Sequence, residues 1–109
     1  MGVSFDVVGV NHHLKKEDQE KLAQLVPLHA VLERQPENPH DENAIKVMVV
    51  DDRLRQRYFV GYLRRQVAAV LAGGLDNGTR KVQQARLEKL DPERGMGEIF
   101  VVLKKAQRV

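Results

Sequence analysis

The chain has 109 residues and no cysteine, with 18 Lys+Arg against 15 Asp+Glu for a net charge of +3 and a sequence pI of about 9.4. That length makes a single domain, 1–109, with a modest core, and the lack of thiols excludes disulfides and thiolate metal sites. No apolar run approaches the ~18 residues of a membrane span, and Met1 to Asp6 lacks the basic and apolar regions of a signal peptide, so a cytoplasmic location without a membrane partner is expected.

Val3 to Val10 reads as a strand with Phe5, Val7 and Gly9 on one face, and Asn11-His12-His13 leaves it as a polar loop. Leu22 and Leu25 in the charged run from Lys15 to Leu25 predict a short helix, which Pro27 ends. Leu28 to Arg34 alternates Leu28, Ala30 and Leu32 against His29, Val31 and Glu33, the pattern of a second strand. A third strand follows over Ala44 to Val50, with Ile45, Val47 and Val49 facing one way and Lys46 and Met48 the other. Asp51-Asp52 turns the chain into a fourth strand, Arg57 to Leu63. From Arg65 to Leu75, residues Val67, Val70, Leu71 and Leu75 stand at helical spacing, with Asn77-Gly78 closing the helix. Lys81 to Leu90 and Glu98 to Lys105 form a final hairpin around Asp91 to Gly97. Six short strands with a helix between the fourth and fifth make a mainly β protein: a small closed or nearly closed antiparallel barrel. Such barrels often bind oligonucleotides, an expectation carried by fold analogy alone.

Signatures of catalysis are missing. There is no Gly-rich phosphate loop, no His-Glu-x-x-His and no Gly-x-Ser-x-Gly. Asp51/Asp52 and Asp41/Glu42 are neighbours that point apart on extended chain, so neither pair makes an acid/base site. His12 and His13 are adjacent rather than i, i+4, and His29 and His40 lie elsewhere, so solvated imidazoles are expected rather than a zinc site. The expectation is a non-enzyme without a cofactor.

The richest stretch is Arg34 to Val47, which crowds Pro36, Asn38, Pro39, Asp41 and Asn43 into a loop before the third strand. Asp41 can accept from the backbone N–H of Asn43 in an Asx-turn, or offer an acceptor-only carboxylate to a sugar hydroxyl. Asn38, before a proline, has the same two roles open. Arg64 and Arg65 stand at the start of the helix, where a cation is mildly unfavourable beside the positive end of the dipole. They are either a phosphate site or a solubilising pair. Five arginines and no acid between Arg53 and Arg65 suggest a local basic surface. Of Tyr58, Phe59 and Tyr62, the last is best placed to face a ligand.

Taken together, Val7-Val8-Gly9-Val10, then Leu32-x-Arg34-x-Pro36-x-Asn38-Pro39-His40-Asp41-x-Asn43-Ala44-Ile45-x-Val47, then Val60-Gly61-Tyr62-Leu63 before a helix, resemble the HIRAN domain over about residues 5 to 104. This family stands at the N-terminus of fork-reversal helicases and also occurs alone in bacteria. The resemblance implies an OB-like barrel that captures the free 3′-hydroxyl end of single-stranded DNA. It implies that Asp41 bonds the terminal hydroxyl and that His40 stacks on a base. Asn38, Tyr62, Arg65 and the loop Asn11, His12 and His13 would complete the site. His stands where the family has tyrosine, and Asn11 where it has arginine. Stacking worth ~1–3 kcal/mol per base then falls towards its low end, and one phosphate contact is lost.

The leading expectation is therefore a DNA-end-binding module serving DNA repair, with Arg64, Arg65 and Lys46 meeting phosphates and a helicase or nuclease as partner protein. The alternative is a protein-interaction or scaffold domain that kept the fold and lost DNA-end binding. A nuclease accessory holding Mg²⁺ through Asp41 and Asp51/Asp52 is disfavoured, because an extended third strand keeps those acids roughly 25–30 Å apart.

Overall fold

The structure is a computed structural model and describes residues 2–106. Its strands are β1 (Gly2–Val8), β2 (Leu28–Arg34), β3 (Ile45–Val49), β4 (Tyr58–Leu63), β5 (Arg80–Asp91) and β6 (Met96–Lys105). They close into an antiparallel barrel in the order β1-β4-β3-β2-β5-β6, with β6 pairing back onto β1. Helices α1 (Val10–His13), α2 (Lys16–Leu25) and α3 (Arg65–Asn77) and one 3₁₀ turn (Asp52–Leu54) fill the connections. Among the described residues no helix is long and apolar enough to cross a membrane.

Period-two alternation sends one side of each strand inward. Val7, Ile45, Val47, Val49, Val60 and Leu87 are fully buried, and Tyr58 joins them as the one core member of the aromatic trio. β2 and β5 pair only at Leu28↔Leu87 and His29↔Arg86 before they diverge, and α3 packs across both strands beside that seam.

Two expectations need correction. Asn11, His12 and His13 are not a loop but lie in the helical turn α1. Gly9 adopts the left-handed region (φ 72°, ψ 18°), which swings the chain off β1 so that Val10 is buried instead of extending the strand. Val70 is 75 % exposed, although its spacing places it on the expected buried stripe of α3. The face that packs is Ala68, Leu71 and Ala72, with Val67 and Leu75 half-buried. At ~100° per residue, Val70 falls on the far side from Ala68. Small alanines let the helix approach the barrel closely, and their low hydrophobicity hides that face.

Gly61 is required where β4 crosses β1. A Cβ there would lie 2.4 Å from the carbonyl oxygen of Val8, a backbone atom that cannot step aside. Gly61→Ala is expected to cost about 1–3 kcal/mol by overpacking, read as a lower urea midpoint with an unchanged m-value.

Candidate functional site

Residues 35–44 leave β2 and return as β3, and Arg34 holds the base of this loop. Its Nη1 donates to the carbonyl of Ala44 (2.8 Å), its Nη2 to that of Glu42 (3.0 Å), and its Nε and Nη2 grip Asp76 of α3 at 2.8 Å each. Such a bidentate fork fixes direction as well as distance, so the loop and the C-terminal turn of α3 are tied together. Hydrogen bonding to Asp76 raises the Arg34 pKa and lowers that of the carboxylate.

Asn38 shapes the tip. Its Oδ1 accepts from the backbone N–H groups of His40 (2.9 Å) and Asp41 (3.2 Å). Its Nδ2 donates to Gln35 Oε1 (3.2 Å), which also accepts from the Tyr62 hydroxyl at 2.6 Å. Asp41 then forms the Asx-turn: Oδ1 accepts from the backbone N–H of Asn43 at 2.9 Å. Its other oxygen, Oδ2, lies 3.7 Å from Arg65 Nε, and Arg65 also donates to the carbonyl of His40.

These groups border a cleft of about 410 Å³ lined by Val8, His13, Asn38, His40, Asp41, Ala44, Tyr62, Leu63 and Arg65. One wall is aromatic. His13 stacks on Phe59 (centroids 4.2 Å apart, interplanar angle 16°), Tyr62 meets both rings edge-on, and Lys46 Nζ sits 4.3 Å from the Phe59 centroid. Burial, then the nearby His12 and Lys46, lower the His13 pKa from 6.5. The neutral ring is therefore the one the fold favours. The unfolded chain binds the extra proton, so the His13 contribution is full above pH 6.5 and is lost as pH falls through the lowered folded value. Urea midpoints taken on either side of that window should drop on the acid side, and His13→Phe should flatten that part of the profile.

Six of the nine residues singled out in the sequence meet at this cleft: His13, Asn38, His40, Asp41, Tyr62 and Arg65. The other three lie elsewhere. Asn11 accepts from Gln19 Nε2 at 3.0 Å and packs against Gly95 at the β5–β6 turn. His12 is exposed outside the cleft lining, edge-on to His13 with centroids 6.3 Å apart. Arg64 pairs with Asp6 across β1 at 2.9 Å. Nor do the arginines from Arg53 to Arg65 form one basic surface. β4 separates Arg53, Arg55 and Arg57 from Arg64 and Arg65 by about 20 Å at ~3.3 Å per residue, and Arg53 and Arg57 pair with Asp51 and Glu33. Arg34 and Gln35 escape a reading of the sequence because their partners, Asp76 and Tyr62, are remote along the chain. Phe59 gains its role in the aromatic wall only from the fold.

A closed six-stranded antiparallel barrel with a loop-bordered cleft places the chain in the class of small OB-like β-barrel domains. The sequence model of the HIRAN domain matches residues 3–104, and the chain belongs to that family. It is 42 % identical over 52 residues to the helicase-like transcription factor of Oryctolagus cuniculus, a match covering 48 % of this chain and 5 % of that much longer protein. A Lactobacillus plantarum protein of solved structure superposes with a TM-score of 0.68 at 24 % identity, over 95 % of this chain and 97 % of that one. The HIRAN domain of human HLTF superposes with 0.67 at 21 % identity, over 95 % and 76 % of the two chains. Its DNA-bound conformation superposes with 0.59 at 20 % identity, over 94 % and 73 %.

Proposed function

We propose that this domain binds single-stranded DNA and recognises its free 3′-hydroxyl end, with no catalysis of its own. The observation that carries this is the divided Asp41 carboxylate. One oxygen is committed to the Asn43 backbone, which sets its direction, and the other stands in the cleft beside the Arg65 guanidinium. A carboxylate accepts a hydroxyl proton and repels a terminal phosphate, while the neighbouring cation suits the phosphate one step inward. His13 and Tyr62 offer an aromatic wall to the terminal base, and exposed His40 a second stacking surface. Membership in the HIRAN family and the DNA-bound conformation described for the HLTF domain support this function. A helicase or nuclease is the partner protein such a module would serve, and the repair setting belongs to the same proposal.

One feature favours the alternative of a protein-interaction domain: Arg65, the arginine that lines the cleft, stands beside an acid of the chain itself, which weakens the positive field there. Fluorescence anisotropy on one short strand ending in a 3′-hydroxyl or a 3′-phosphate separates the two. Tighter binding of the hydroxyl end supports end recognition. Equal binding overturns it, and no binding of either strand at low salt supports the protein-interaction alternative.

A further inference from the structure

Arg80, Lys81, Lys104 and Lys105 crowd the open end of the β5–β6 hairpin, all exposed. The register sets like charges directly opposite each other, Arg80↔Lys105 and Lys81↔Lys104. Such pairs destabilise a sheet. Among the described residues none of the four makes an ion pair; Arg55, Arg94 and the other lysines share that, and the repulsive register is what sets these four apart. Side chains alternate across a strand, so Arg80 and Lys105 stand on one face of the hairpin end and Lys81 and Lys104 on the other: two repelling, unneutralised pairs, each suited to an anionic partner.

The path from the cleft to this cluster is also distinctive. α3 starts at Arg65, in the cleft, and its last turn reaches the hairpin, where the aliphatic stem of Arg80 packs against Gly74. Between Arg65 at its start and Asp76 in its last turn, the exposed side of α3 carries Gln66, Ala69, Val70 and Gly73, none of them charged. Its one acid, Asp76, is already held by Arg34. Acids stand elsewhere on the surface: Glu37 and Glu42 flank the loop, and Asp6, Asp91 and Glu98, together with Lys89 and Arg94, line a separate hollow near the opposite turn of the hairpin. A polyanion leaving the cleft meets no free carboxylate along α3 and then reaches Arg80 and Lys105 on the near face of the hairpin end, with Lys81 and Lys104 on its other face.

We propose that this hairpin end is a second nucleic-acid contact, which grips the phosphate backbone some distance inward from the terminal nucleotide bound in the cleft. It rests on the cleft binding a DNA end. A 13-residue helix at ~1.5 Å per residue puts the two contacts about 20 Å apart. That corresponds to about six phosphates at ~3.4 Å per nucleotide of a stacked strand. Contacts at the hairpin carry no sequence information; they add affinity and hold the strand along α3.

The test compares strands of about four and about twelve nucleotides, both with 3′-hydroxyl ends, on the wild-type chain and on Lys81→Gln/Lys104→Gln/Lys105→Gln. Arg80 is kept because its stem packs on α3. Removing the repelling charges leaves thermal stability unchanged or slightly raised. The short strand is expected to bind both proteins alike. The long strand should bind the wild type more tightly, and the variant should lose most of that advantage. Its log–log salt slope should fall by about 2, from ~0.7 per phosphate contact for three lysines. Equal binding of long and short strands by the wild type, or an unchanged slope in the variant, overturns the proposal. Polyglutamate competing as well as the long strand overturns it too, since that marks indiscriminate capture of polyanions. If the lysine variant shifts the slope while 3′-hydroxyl and 3′-phosphate strands bind equally, the hairpin contact stands and end recognition fails. If neither strand binds the wild type at low salt, both fail together.

Discussion

Arg34→Leu is expected to lower stability by about 3 kcal/mol, a fall of roughly 10–15 °C in melting temperature, and to remove ligand binding with it. The reason is the position of its guanidinium rather than its charge. The side chain is only 15 % exposed, and it donates to the carbonyls of Ala44 and Glu42, at the point where the loop becomes β3. Ala44 itself is buried, so its carbonyl would lose a charge-assisted bond with little water to replace it. The pair with Asp76 adds less, because half of that side chain is in solvent and exposed pairs are worth little. Asp76→Asn should therefore cost much less than Arg34→Leu. Arg34→Lys should recover part of the stability but not the loop, since an ammonium cannot span two carbonyls and a carboxylate in the plane of a fork. Thermal melts of the three variants, with amide exchange over residues 35–44, check the order Arg34→Leu worst, then Arg34→Lys, then Asp76→Asn.

What the sequence makes legible divides along physical lines. β2 can be read at once because alternation in Leu28, Ala30 and Leu32 is a local consequence of a half-buried sheet. The Asx-turn at Asp41 is likewise legible, since donor and acceptor are two residues apart. The turn at Gly9 is not, because a glycine inside Val7-Val8-Gly9-Val10 looks the same whether it continues a strand or swings off it. Val70 misleads because apolar spacing reports amphipathicity but not which of two adjacent stripes packs, and here alanines win by allowing closer approach. Arg34 and Asp76 are separated by 42 positions and only the closed barrel brings them together. The run of arginines after Arg53 reads as a surface because no acid lies between them in sequence. Their partners Asp6, Glu33 and Asp41 come from other elements.

Asp41→Asn is the substitution that separates the two roles of the loop carboxylate. Asparagine keeps an oxygen of the same geometry, so the bond from the Asn43 N–H at 2.9 Å and the Asx-turn are retained. Its amide can turn its NH₂ towards the cleft, which exchanges an acceptor-only anion for a donor beside Arg65. A hydroxyl bonded to a carboxylate loses about 1.5–3 kcal/mol when the charge goes, or roughly ten- to a hundredfold in affinity. A terminal phosphate, by contrast, gains a donor and loses a repelling charge. The ratio of 3′-hydroxyl to 3′-phosphate affinity should therefore collapse towards one while the urea midpoint stays near wild type. Asp41→Ala should lose the same discrimination and also destabilise the loop, because the Asn43 N–H is then left without its partner. If the Asp41→Asn variant preserves the preference for the hydroxyl end, the carboxylate serves the turn alone, and the cleft recognises whatever it binds through Arg65 and the aromatic wall.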